Sequence, residues 1–242
     1  MTGKAQVSVF IIFAIVLVVL IAIFFIFRGN IISVEQVNPQ VLPVYSFAEN
    51  CVKKTAEDAI YHISATGGYF YPANISTKNS VAYYLYGKNN LMPKRESIEK
   101  ELGDYMNEML FFCSRGFQDF KDFKVTQSDV KSSVKILDGK VVFEVNYPLS
   151  IEKDNKTFSV SSFKTEIPVN LQKVYSAAGE IMEEQMTNTE VVCMSCIGKI
   201  SVEKYLYIDM YDYEKNKVIF IIVDRNSKIN NKELEFFFAN EY

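Results

Sequence analysis

Two cysteines three positions apart, Cys193-Met194-Ser195-Cys196, form the one short pattern in this chain that could do covalent chemistry. A C-x-x-C can run thiol–disulfide exchange, hold half of a zinc site, or close a small structural bridge. The redox reading needs a helix N-terminus to favour the first thiolate, and no βαβ pattern surrounds the motif. Zinc needs a second ligand pair, yet the single histidine is His62 and the other cysteines, Cys51 and Cys113, are far away in sequence. A local Cys193–Cys196 disulfide that tightens a turn ahead of the last strands requires nothing further, and it is the expected state.

Cys51 and Cys113 each fall on the apolar stripe of an expected helix. Two packed helices would bring them within bonding distance, so an oxidising compartment predicts a Cys51–Cys113 disulfide. The alternative is a pair of buried free thiols. His62, in Ile60-Tyr61-His62-Ile63, reads as a helix-surface or packed residue for want of partners. The chain has no Gly-rich phosphate loop, no G-x-S-x-G and no H-E-x-x-H, and a Ser-His-Asp hydrolase would have to be built on His62 alone. Carboxylate pairs such as Glu183-Glu184 and Glu233/Glu235 are what any acidic surface offers. No catalytic, cofactor-binding or metal site is expected and the chain is read as non-enzymatic, with a thiol–disulfide oxidoreductase using Cys193 and Cys196 as the weaker alternative.

The elements that must position these residues follow from periodicity. Val44, Ala48, Cys51, Val52, Thr55, Ala59, Ile60 and Ile63 recur at helical spacing and stop at Gly67-Gly68. Pro93 opens a second helix carrying Ile98, Leu102, Tyr105, Met109, Phe112, Cys113 and Phe117. Between them lies an aromatic stretch, Gly68–Pro72 and Val81–Tyr86, expected as strand or extended loop whose rings cover the helix pair or offer contact surface. From Lys121 the period becomes two. Val134 and Ile136 lead to an Asp138-Gly139 turn, then Val141, Phe143, Val145 and Tyr147 alternate, a hairpin pattern. Asp154-Asn155 marks another turn, Val169–Met186 a third helix, and Tyr205–Tyr213, Val218–Val223 and Leu234–Ala239 the last strands.

Composition bounds the class. The 242 residues are 49% hydrophobic and 23% charged with a net charge of −3, the balance of a folded chain with no basic block for nucleic acid. Val7–Phe27 holds no charged residue. Twenty-one residues at a rise of about 1.5 Å span about 31 Å, the hydrocarbon thickness of a bilayer. The run lacks the small-residue cleavage pattern of a secretory signal and is expected to remain as a transmembrane anchor. Asn74-Ile75-Ser76 and Asn155-Lys156-Thr157 are glycosylation sequons. With the four cysteines they favour a cytoplasmic N-terminus and an extracytoplasmic bulk. The expected organisation is a basic N-terminus and anchor over 1–28, a linker over 29–43 and an extracytoplasmic domain over 44–242. Its fold class is α+β, with about three helices packed on an antiparallel sheet.

Gly3-Lys4-Ala5-Gln6-Val7-Ser8, directly ahead of the apolar run, resembles the class III signal of archaeal type IV pilin-like proteins. The resemblance implies processing between Ala5 and Gln6. Phe10 departs from it, standing where many pilins carry a Glu used in subunit assembly. The remainder is similar to single-pass surface proteins of small-genome archaea. The similarity runs through the Gly67-Gly68-Tyr69 helix end, Ala82–Tyr86, Met92-Pro93, Asn146–Leu149 and Phe237–Ala239, and it implies location and class alone. A cell-membrane protein with no cofactor is therefore expected. Its partners are the bilayer, through residues 7–27, and either copies of itself or other envelope proteins.

Overall fold

The computed structural model describes residues 16–17, 38–187 and 189–242. The chain divides into two units, Met1–Val37 and Asn38–Tyr242. The anchor expected over Val7–Phe27 and the processing site at Ala5 and Gln6 lie outside the described residues, apart from Val16 and Leu17, both helical. Among the described residues no helix is long and apolar enough to cross a membrane. The second unit is α+β.

The unit begins earlier than the expected boundary at 44. Pro39 opens a 3₁₀ turn over Pro39–Val41 whose start is capped by the Asn38 side chain, and Val41 is buried. Pro39 and Pro43 thus mark helix starts, where the missing N–H costs nothing, and the second half of the expected linker is folded. Helix α1, Leu42–Ala65, buries Val44, Ala48, Cys51, Val52, Ala56, Ala59, Ile60 and Ile63 along one face. It ends because Gly67 and Gly68 take φ of +73° and +98°, and Gly68 N–H returns to Ile63 O over 2.8 Å.

Strands β1, Tyr83–Tyr86, and β2, Asn89–Asn90, precede helix α2, Arg95–Ser114. Helix α2 packs on α1 through Ile98, Leu102, Tyr105, Met106 and Leu110. Phe112, expected on this stripe, is 66% exposed, because the buried face ends with Leu110 and Ser114, one position off. Part of the aromatic stretch covers the helix pair, with the Phe70 ring against His62 and Tyr105, while Tyr84 turns into a sheet core against Phe238.

Two sheets replace the single antiparallel sheet expected. The first has the long β5, Lys140–Lys153, at its centre. On one side β5 pairs with β3, Lys124–Gln127, and β4, Lys131–Leu137; on the other it pairs with β6, Lys156–Ile167. The Asp138-Gly139 and Asp154-Asn155 turns link these strands, both asparagine-turn residues taking positive φ. Gly103 of α2 sits where a Cβ would come within 3.3 Å of Ser132 O on β4, so the missing side chain permits close helix–sheet contact. Glu99, nearly buried, accepts from Ile136 N–H at 3.0 Å and pairs with Lys135 at 2.8 Å, which fixes α2 to β4.

The second sheet runs β2-β1-β9-β8-β7. Its strands β7, Tyr207–Glu214, β8, Lys217–Ile229, and β9, Lys232–Glu241, form an antiparallel meander, and β1 joins β9 in parallel. Helix α1 packs on β6 of one sheet and β9 of the other. Helix α3, Leu171–Thr187, follows β6. A fourth helix, α4, Met194–Lys204, stands where a turn was expected and packs on α3 and β7.

Candidate functional site

The four cysteines form two disulfides of different character. Cys51 and Cys113 join α1 to the last turn of α2, with Cα atoms 5.5 Å apart and a sequence separation of 62; Cys51 is 2% exposed. Closing a loop of that length removes about 4 kcal/mol of unfolded-state entropy on the chain-entropy model. Cys193 and Cys196, 5.3 Å apart at Cα, are three residues apart, and the same reasoning gives about 2 kcal/mol. The first bridge is a staple between two helices. The second contributes half as much and is partly open to solvent.

The placement of the second pair corrects the premise that counted against redox chemistry. Cys193 is the N-cap of α4, and its Sγ accepts from the backbone N–H of Cys196 at 3.3 Å. The Ser195 hydroxyl lies 3.6 Å from the same sulfur. The Cys196 N–H and the positive end of the helix dipole therefore face Cys193. The sequence hid this helix because it shows only Ile197 and Ile200 as a buried pair, too few to mark a stripe, with Gly198 between them.

Helix α3 supplies the other wall. Gln185, nearly buried, donates from Nε2 to Val191 O at 2.6 Å and so holds the segment leading to Cys193. Lys204 at the far end of α4 pairs with Glu180 at 2.6 Å. The two helices then enclose a cleft of about 410 Å³ lined by Glu180, Glu183, Glu184, Cys196, Lys199 and Glu203, among others. Glu184 Oε2 is 3.6 Å from Cys196 Sγ. A carboxylate thus stands beside the second sulfur, and the Cys196 N–H and the helix N-terminus beside the first. Ser195 lies within the motif itself, whereas the place of Glu184 was not identifiable from sequence, because it depends on how α3 and α4 pack.

The remaining expected residues fall elsewhere. Asn74 and Asn155 are both exposed, Asn74 in the loop after α1 and Asn155 in the β5–β6 turn. Asn74 borders a groove of about 330 Å³ that includes Tyr83, Tyr86 and Tyr213. Its charges are paired, with Lys78 and Lys217 at 3.0 and 3.2 Å from Glu214. Hydrogen bonds from Lys78 and Lys217 hold the Glu214 carboxyl below its ordinary range. His62 Nε2 donates to Phe70 O at 2.7 Å, and its ring packs against Phe70 and Tyr105. Among the described residues no group of three or more His, Cys, Asp or Glu could hold a metal ion. No protein-family model, no curated protein and no solved structure matches the chain.

Proposed function

We propose that this chain is a membrane-anchored, extracytoplasmic structural or binding protein. Residues 7–27 are its anchor and residues 38–242 form its working domain. The observation that carries this reading is the state of the cysteines: all four are joined in disulfides. Such bridges persist outside the cytoplasm and are rare within it. The uncharged Val7–Phe27 run supplies the apolar length for a bilayer, and the exposed sequon asparagines sit on turns, where a glycan could be added.

Within this reading the chain is a pilin-like surface subunit, cut between Ala5 and Gln6, whose apolar helix packs with its own copies. A second reading, a non-polymerising subunit of an envelope complex, is favoured by Phe10. The test is intact-mass and N-terminal analysis of protein taken from its native membrane, with and without reductant. A start at Gln6 supports the pilin-like subunit, and a start at Met1 the envelope subunit. Two disulfides each add about two mass units on reduction. Recovery of unassembled chain without detergent overturns the anchor, and no gain in mass overturns the extracytoplasmic assignment.

A further inference from the structure

We propose that Cys193 and Cys196 are a redox-active pair that exchanges disulfides with dithiols of polypeptide substrates, Cys193 being the sulfur that bonds the substrate. The inference stands apart from the anchor and filament readings. It rests on the asymmetry of the two sulfurs. Negative charge on Cys193 Sγ is met by the Cys196 N–H at 3.3 Å, by the Ser195 hydroxyl at 3.6 Å and by the N-terminus of an eleven-residue helix. Negative charge on Cys196 faces the Glu184 carboxylate at 3.6 Å. That carboxylate repels an incoming thiolate from Cys196 and, once the pair is reduced, accepts a hydrogen bond from the Cys196 thiol. One sulfur is built to leave as a thiolate and the other to hold a proton. Val191 and Met194, 57% and 64% exposed, flank the first cysteine and give a polypeptide apolar contact there.

The exchange balances. A substrate thiolate attacks Cys193 Sγ, a substrate–Cys193 bond forms, and the Cys193–Cys196 bond breaks with its electron pair on Cys196. Cys196 takes up a proton equivalent to the one the attacking thiol gave up. The second substrate thiolate then attacks the substrate sulfur of the mixed disulfide, and Cys193 departs as a thiolate. Two electrons and two protons have left the substrate dithiol, which becomes a disulfide. A low-molecular-weight disulfide restores the pair by the same steps in reverse.

The experiment uses the oxidised full chain in detergent, a reduced two-cysteine peptide as probe, and alkylation followed by mass analysis. A synthetic peptide of residues 190–200, closed by the same disulfide, serves as comparator because it lacks Glu184 and the packed helix. We expect one peptide disulfide per chain, an intact Cys51–Cys113 bridge, and a rate at least ~10-fold above the comparator. Given the oxidised probe, Cys196→Ser traps a mixed disulfide on Cys193. Cys193→Ser forms one on Cys196 at least ~10-fold more slowly, and adding Glu184→Gln narrows that gap. Exchange at the comparator's rate, which needs no variant to fold, overturns the proposal, and so do equal trapping rates in the two serine variants.

Discussion

The Ser227 hydroxyl donates to the Asp224 carboxylate over 2.6 Å inside β8, where neither side chain reaches solvent. The register of β8 against β9 shifts between Asp224 and Lys228, so this carboxylate holds together a bulge. Asn170 Nδ2 donates to it at 3.0 Å, Asn226 N–H at 3.2 Å, and Lys173 of α3 lies 3.5 Å away. The bulge is thereby tied to the start of α3. Burial would raise the Asp224 pKa, but these donors and the Lys173 charge outweigh it and hold the carboxyl below its ordinary 3.8.

A depressed folded-state pKa makes stability depend on pH in one direction. The contribution of Asp224 is fully present above the unfolded value and is lost as pH falls through the lower folded value. Urea unfolding should show the native chain losing stability below about pH 4, with Asp224→Asn losing less over the same range. Asp224→Ala should cost about 3 kcal/mol at pH 7, since it leaves several buried donors and a half-buried lysine without their acceptor. An unchanged urea midpoint would show that the bulge does not need the carboxylate.

The two disulfides should separate cleanly in stability measurements. Replacing Cys51 and Cys113 by Ala should lower unfolding free energy by about 4 kcal/mol and replacing Cys193 and Cys196 by about 2 kcal/mol or less, read from urea curves. Equal losses would mean that the short bridge has a structural weight its loop length does not explain.

Local chemistry was legible in the sequence and long-range pairing was not. The β4–β5 turn at Asp138-Gly139 and the alternation of Val141, Phe143, Val145 and Tyr147 lie within one hairpin, so neighbouring residues specify it. The two helices that carry Cys51 and Cys113 announce themselves by buried stripes. The parallel pairing of Tyr83 with Ala239 joins positions more than 150 residues apart, and no local pattern encodes that choice. Half of the candidate site shares this difficulty. Cys193 and Cys196 are visible as a motif, while Glu184 reaches them only through the packing of α3 on α4.

The second sheet is centred on a ring stack. Phe238 lies 4.8 Å from both Tyr84 and Phe220, with planes 20° and 4° from parallel, and all three rings are buried. Tyr84 also donates from its hydroxyl to Gly67 O at 3.1 Å, which links the stack to the end of α1. Phe238→Ala should therefore cost about 3–5 kcal/mol by chemical unfolding, and Phe238→Leu about 1–2 kcal/mol. A loss for Phe238→Ala below about 1 kcal/mol would show that the strands close over the space.

Gly67 joins helix α1 to that same sheet. Its φ of +73° is a conformation that side-chain-bearing residues seldom adopt, and an added Cβ would come within 3.1 Å of both the Ala82 Cβ and the Phe237 carbonyl oxygen. The carbonyl belongs to β9, whose backbone is held in place by pairing with β8. Backbone strain and steric conflict thus act together, and Gly67→Ala should destabilise by about 2–3 kcal/mol. Gly87, at φ +55° with only the Asn89 side chain at 3.9 Å, provides the control. Gly87→Ala meets the backbone cost alone and should lose about 1 kcal/mol. If the two variants unfold at the same urea concentration, the close approach of α1's end to β9 carries no energetic weight, and only the left-handed backbone does.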